Sequence, residues 1–333
     1  MRRGLVFGKF MPLHRGHQHL IDTALSQCDD LSIVVYDSDP PGDFAPMPVE
    51  LRLGWLQALY PNVENILAVD DPMKHDPDRD SPAHAPEYAD QLRFLGPFDR
   101  VFSSESNYDD FARALGAQPV VVDEARGTVP ISGTVIRADL YDHRGWLDPL
   151  VYSSLIQKVV FVGTESSGKT TLARALAERF DTLWTHEFGR ELWEAQNLTG
   201  TFADHLKMAR RQYEREQAAL RHSRRFLFCD TNAWTTLHWS LRSYGTADAR
   251  LYELVDRTAH EYLWVVCDND FGWIQDGTRE MAGGESARFQ EQQIADLERR
   301  RIPYTVVSGP VEQRIVRVEP LLAGRAARRT RPR

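Results

Sequence analysis

The segment that most restricts this chain is Gly163-Thr164-Glu165-Ser166-Ser167-Gly168-Lys169-Thr170, set between the apolar run VVFV at 159–162 and the helical pattern beginning at Thr171, TLARALAERF. The spacing is GxxxxGK[ST], and strand before and helix after are the flanks that this spacing needs. Glycines let the backbone curl so that successive N–H groups face one phosphate, and the helix start adds partial positive charge. Lys169 would reach the β- and γ-phosphates of a bound nucleotide and the Thr170 hydroxyl would ligate Mg²⁺, a pattern that by itself does not distinguish a kinase from an ATPase motor or a GTPase. A glycine-rich turn without a ligand is the plainer alternative.

The rest of the chain fits that local pattern. Apolar runs at 5–10, 31–36, 66–69, 100–103 and 119–122 alternate with helical stretches near 16–26, 49–59, 88–95 and 108–115. A second series follows, with strands at 159–162, 226–229, 263–267 and 304–307 and helices at 169–179, 202–222, 247–262 and 286–301. Short apolar strands separated by helices predict βαβ units, parallel sheets covered on both faces and right-handed crossovers, hence two doubly wound α/β domains. A length of 333 residues suits two cores of about 150 residues each. The weakly periodic stretch 142–157 predicts the junction, giving domains at 1–150 and 156–323 and a basic tail at 324–333 that reads as a frayed, solvated end. The run DDPMKHDPDRDSPAHAP at 70–86 breaks the rhythm and reads as a long loop, either a disordered insertion or a lid.

Charge narrows the partners. Residues 1–155 carry 13 basic and 24 acidic side chains, and residues 156–333 carry 27 and 24. A net charge of −8 argues against broad nucleic-acid binding, so any phosphate site must be built locally from loops and helix ends. No apolar run approaches the roughly 18 residues of a membrane span. The start MRRGLVFGKFMPLHRGH lacks the apolar core of a secretory signal, and Cys28, Cys229 and Cys267 form no CxxC pair. A cytoplasmic protein with reduced thiols is expected.

Other residues sort the chemistry. FLFCDT at 226–231 is an apolar strand ending in Asp230, the acid expected to orient Mg²⁺. In THEFGR, Glu187 could take a proton from a substrate hydroxyl and Arg190 could pair with phosphate, with a surface ion pair as the alternative. In DGTRE, Arg279 could close over the transferred group, and Phe271 and Trp273 could supply an aromatic wall or simply pack in the core. Near the start, GKFMPLHRGH ends the first strand with His14 and His17, which would project from a helix's first turn toward one anion. Displacement at the α-phosphorus of a nucleoside triphosphate calls for such donors; a metal pair or core histidines are the alternatives. Ser132, Thr134 and Arg137 in ISGTVIR would form a second anion cradle, or merely cap a helix.

GKFMPLHRGH and ISGTVIR resemble the adenylyltransferase signatures of nicotinamide-nucleotide enzymes. Followed by GTESSGKTT, DTN and DGTRE, they resemble the NadR-like bifunctional family in order along nearly the whole chain. The resemblance implies a nicotinamide mononucleotide (NMN) adenylyltransferase of the HxGH nucleotidyltransferase, Rossmann-like fold, followed by a ribosylnicotinamide kinase of the P-loop kinase fold. ATP is then the co-substrate of both and Mg²⁺ the cofactor, with nicotinamide riboside, NMN and NAD as the other small-molecule partners. It assigns His14 and His17 to adenylyl transfer, with Gly8, Lys9, Phe10, Ser132, Thr134 and Arg137 around the triphosphate and Ser104 and Glu105 on the substrate side. In the kinase it assigns residues 163–171 to ATP, Asp230 to magnesium, Glu187 and Arg190 to the substrate and Arg279 to a lid. Two departures stand out: the first strand begins at residue 4, leaving no room before it for the helix-turn-helix of some relatives, and no Trp lies between the third and fourth strands. The same folds acting on other nucleosides, or a nucleotide sensor without turnover, stay open, as does self-association.

Overall fold

A computed structural model describes residues 1–38, 47–76, 81–197, 200–270 and 284–328. The chain divides into two compact units, with Met1–Tyr152 in one and Ser153–Gly324 in the other. No helix among the described residues is long and apolar enough to cross a membrane.

The first unit alternates β1 (Arg3–Gly8), α1 (Arg15–Gln27), β2 (Asp30–Asp37), α2 (Val49–Leu59), β3 (Asn65–Asp70), α3 (Ala85–Leu92), β4 (Arg100–Ser103), α4 (Asp109–Ala114), β5 (Gln118–Val121) and α5 (Gly133–Ala138). Its sheet has the order β3-β2-β1-β4-β5 and is parallel throughout, with Gly8 opposite Val35 and Gly4 opposite Arg100. Helices cover both faces, so β2 is buried from Leu31 to Tyr36 rather than alternating in and out. Leu5, Val34 and Val101 pack against Ala89, Leu92, Phe98 and Phe111 in one core. Each fully buried side chain of this kind contributes about 1.5–3 kcal/mol.

A further helix, α6 (Pro149–Leu155), occupies the stretch expected to lack periodicity. The second unit continues with β6 (Gln157–Val162), α7 (Lys169–Arg179), β7 (Leu183–Thr185), α8 (Phe188–Ala195), α9 (Phe202–Leu220), β8 (Phe226–Asp230), α10 (Ala233–Tyr244), α11 (Ala249–Thr258), β9 (Tyr262–Cys267), α12 (Gly284–Arg299), β10 (Tyr304–Val307) and α13 (Val311–Arg328). Its sheet runs β10-β9-β6-β8-β7, again all parallel. Val159, Phe161, Leu172, Leu176, Phe228, Val265 and Val318 fill its core.

In both units the first strand lies in the middle, and the chain crosses to opposite sides of it. That arrangement opens a crevice at the carboxyl ends of β1 and β6, where open α/β sheets bind ligands. Four helices, α6, α8, α10 and α13, were not expected from the sequence, and α13 carries on to Arg328, so the basic tail begins inside a helix rather than as a frayed end. The loop at 70–86 is also more structured than expected: β3 reaches Asp70, and a single helical turn at Pro82–His84 leads into α3.

Candidate functional site

In the first unit, β1 ends at Gly8, and the chain turns through Phe10, at a φ of 50°, into α1. His14 caps α1: its Nδ1 accepts from the N–H groups of Gly16 at 3.1 Å and His17 at 3.4 Å, while His17 Nδ1 accepts from the His14 N–H at 3.4 Å. Two imidazoles thus do the work of a serine and glutamate capping box. With both Nδ1 atoms accepting, the neutral tautomers carry their proton on Nε2, and the His17 ring donates to the Pro12 carbonyl. The rings stack at 3.8 Å between centroids. A Cβ at Gly16 would sit 3.0 Å from the His14 ring, so a larger residue there would push the ring out of its cap.

Burial keeps these rings uncharged. It lowers His14 to about 4, assisted by Arg126 and Arg137, and it lowers His17 well below the usual range, with His14 as the next cause. Around them is a cavity of about 500 Å³ lined by Gly8, Lys9, Phe10, Ser132, Thr134 and Arg137, and by Ser104 and Glu105 on another wall. All the residues expected in this site therefore line one space. Their local roles are specific: Ser132 Oγ caps α5 by accepting from the Val135 N–H at 3.3 Å. Arg137 donates to Thr134 Oγ1 at 3.1 Å and to the Met11 carbonyl at 2.6 Å, which fixes the turn ahead of His14.

Sequence reading missed several lining residues. Arg126 lies in the cavity wall, 3.6 Å from Glu105, with its loop held by Asp123 accepting from the N–H groups of Thr128 and Val129 at 2.9 Å. Tyr36, Tyr88 and Tyr108 form an aromatic side with Phe7. Asp71, from the loop read as an insertion or lid, is 5% exposed and accepts from Ser38, from the Tyr88 hydroxyl at 2.8 Å and from the Met73 N–H at 3.1 Å. Nothing in the sequence marked Arg126 apart from its position shortly before ISGTVIR.

In the second unit the turn after β6 follows the expected order. Gly163 has a φ of 141°, and a Cβ there would lie 2.6 Å from the Cys267 carbonyl oxygen; Gly168 has a φ of 82° and starts α7. Glu165 and Ser166 make the tip of the loop, and Ser167 Oγ donates to the Thr164 carbonyl at 2.8 Å. Lys169 Nζ donates to that same carbonyl at 2.6 Å, and Thr171 lies in the first turn of α7. Thr170 Oγ1 donates to Asp230 Oδ2 at 2.5 Å, while Asp230 Oδ1 is buried with no hydrogen-bond partner among the described residues. A hydroxyl and a carboxylate, with one oxygen lacking a partner, fit Mg²⁺, which takes most of its remaining ligands from water and phosphate.

Glu187 precedes α8, whose first N–H, that of Phe188, donates 2.9 Å to Gln212 Oε1 on α9. Burial, followed by the Asp230 carboxylate, pushes Glu187 up to about 7 against the pull of Lys169 and Arg190. Burial likewise raises Asp230, opposed by Lys169, Thr170 and Arg190. Glu187, Arg190, Lys169, Thr170 and Asp230 are thus one electrostatic group, with a carboxylate able to take up a proton near neutrality beside the glycine loop. Phe271, Trp273 and Arg279 lie outside the described residues.

Residues 158–314 match a family model described as an AAA domain. The trifunctional NAD biosynthesis/regulator protein NadR of Escherichia coli (strain K12) is 28% identical over 325 residues, covering 91% of this chain and 78% of that protein. The nicotinamide-nucleotide adenylyltransferase of Methanocorpusculum labreanum is 28% identical over 147 residues, or 44% of this chain and 83% of that one. Crystal structures of NadR protein with NR and with NAD and AMP-PNP superpose with a TM-score of 0.57 at 23% and 21% identity, each covering 97% of this chain and 96% of the other, which shows the same fold. The chain is thus similar to the NadR proteins along nearly its whole length, in a match that runs through both parallel-sheet units.

Proposed function

We propose that this chain is a bifunctional enzyme of NAD synthesis, with an HxGH-type adenylyltransferase over residues 1–150 and a P-loop kinase over 156–323. The observation that carries this reading is the alignment with NadR across both units, 28% identical over 91% of the chain.

In the kinase, Glu187 takes the proton from the 5′-hydroxyl of nicotinamide riboside as that oxygen bonds to the γ-phosphorus of ATP and the bond to the β-phosphate oxygen breaks. The loop amides and Lys169 hold the phosphates, and Arg190 faces the transferred group. Thr170 and Asp230 would hold Mg²⁺, which when bound neutralises charge on the β- and γ-phosphates. The products are NMN and ADP.

In the adenylyltransferase the nucleophile is a phosphate oxygen of NMN, already anionic, so no general base is needed. That oxygen bonds to the α-phosphorus of a second ATP, and pyrophosphate leaves to give NAD. His14 and His17 donate their Nε2–H groups to the phosphates, His17 in place of its bond to the Pro12 carbonyl, and Lys9, Arg126 and Arg137 supply positive charge to meet the negative charge that develops there.

Incubation with nicotinamide riboside and Mg-ATP should yield NMN and then NAD. His17→Ala should reduce NAD formation from supplied NMN by about 10²–10³, the range for losing one preorganised donor, while riboside phosphorylation continues. Lys169→Ala should do the reverse. Failure of the wild-type chain to make NMN would dispose of the kinase half, and loss of both activities in either folded variant would dispose of the division of labour.

A further inference from the structure

Arg314, on α13, is a buried cation that neither proposed reaction uses directly. Its side chain is 1% exposed. Nη1 donates to the Ser167 carbonyl at 2.5 Å, Nε to the Gly309 carbonyl at 2.7 Å and Nη2 to the Asp268 carbonyl at 3.3 Å. The same Nη2 pairs with Asp270, whose other carboxylate oxygen accepts from the Gly309 N–H. One guanidinium therefore joins the phosphate loop, the segment after β9 and the turn before α13.

We propose that Arg314 is a positioning residue for ATP, acting through the Ser167–Gly168 peptide; this rests on the kinase reading. In a planar trans peptide the C=O and N–H point in opposite directions. Holding the Ser167 carbonyl therefore aims the Gly168 N–H away from Arg314, on the side where the loop turns its donors to phosphate. Gly168, with its φ of 82°, has no side chain to hold that plane, so an external anchor is needed. The other end of the loop is pinned to the same place, since Gly163 packs against the carbonyl of Cys267, the last residue of β9. Three carbonyl acceptors and a carboxylate arranged around one side chain call for the planar, five-donor fork of arginine; the compact ammonium of lysine reaches fewer of them at once.

Arg314→Lys and Arg314→Met should raise the kinase KM for ATP about tenfold or more, in keeping with a misdirected phosphate hydrogen bond, and lower kcat. KM for the riboside should stay within about twofold, because its side of the site is untouched. Asp270→Asn should move the same constants in the same direction by less, and millimolar guanidinium should restore rate to Arg314→Ala. Rates are taken well below each variant's melting temperature. Wild-type constants in Arg314→Lys and Arg314→Met, an equal rise in both KM values, or losses that follow only the unfolded fraction would overturn the proposal. If the wild-type chain phosphorylates no riboside, the substrate reading fails by itself; the same variants are then compared by ATP affinity, with Lys169→Ala marking binding outside this loop, and unchanged affinity overturns the role of Arg314.

Discussion

Replacing Lys158 by methionine should unsettle the strand that carries the ATP loop without touching the loop. Lys158 is the second residue of β6, with its side chain 3% exposed; Nζ lies 3.1 Å from Glu216 Oε2 on α9 and 2.5 Å from Glu261 Oε2. Glu216 is fully buried and also accepts from the Tyr262 hydroxyl, which donates to Oε2 at 2.5 Å, while Oε1 has no hydrogen-bond partner among the described residues. Methionine keeps most of the lysine stem, so the loss is chiefly the charge. Stranding one member of a buried pair costs about 3–5 kcal/mol. Glu261, with its side chain 26% exposed, can turn to water and adds little. Taking about 3 kcal/mol, and roughly 2–4 °C per kcal/mol for a domain of this size, Lys158→Met should lower the kinase unit's melting temperature by roughly 6–12 °C in calorimetry. Burial already pushes Glu216 up, and losing Lys158 pushes it further. A carboxyl whose folded pKa is raised destabilises the fold above that pKa and stops doing so once both states are protonated. The deficit should therefore shrink as the pH is lowered from about 8 toward 5. Lys158→Met combined with Glu216→Gln removes the stranded charge and should recover about half the loss. A single-variant loss below about 1 kcal/mol, or a double variant no better than the single, would refute this account of the pair.

Because burial holds both imidazoles down, with His14 at about 4, the His14 and His17 ring resonances should not titrate between pH 6 and 8 in the free protein. A midpoint in that window for either would contradict their neutral, Nε2-protonated state. Arg126→Met should move His14 upward toward 6.5, since Arg126 is the largest contributor after burial, and should also raise KM for ATP in NAD formation. If Arg126→Met left both unchanged, that arginine would not face the site in solution. With Glu187 at about 7 and needed as carboxylate, kinase kcat/KM should fall as pH drops through about 7, and Glu187→Gln should abolish that limb along with most of the rate. A pH-independent rate, or a limb surviving in Glu187→Gln, would assign the proton to another group.

What the sequence made legible was whatever is set by neighbours along the chain. Strand, glycine loop and helix at 159–179 are a local unit, and backbone geometry follows from it directly. Helix α10 was not read because AWTTLHWSLRSY is rich in β-branched and aromatic residues, whose preference is for strands; it is helical because burial of Trp234, Leu237 and His238 outweighs that preference. Its ends were nonetheless marked, by Asn232 accepting from the N–H groups of Trp234 and Thr235 and by Gly245 at a φ of 69°. Arg126 and Asp71 were illegible for another reason. Each belongs to its site only through contacts across the fold, Arg126 with Glu105 and Asp71 with Ser38 and Tyr88, and no local pattern encodes such partners.

The charge of the histidine site follows from its geometry. Rings stacked at 3.8 Å cannot both be protonated cheaply, since two like charges about 4 Å apart repel by about 4 kcal/mol at an effective dielectric of 20, before any loss of hydration. Each ring also uses Nδ1 as an acceptor in the helix cap, so protonation there would break the hydrogen bonds that start α1. The cap therefore fixes both the tautomer and the neutral state, and positive charge has to come from side chains placed around the pair, Arg126 and Arg137. On the proposed reading, neutral N–H donors set among separate arginines would let an acidic chain hold a polyphosphate without a broad basic surface, so a net charge of −8 counts against nucleic acid and not against ATP. Arg126 is 46% exposed, so salt screens its share of the attraction, and KM for ATP in adenylyl transfer should rise with ionic strength.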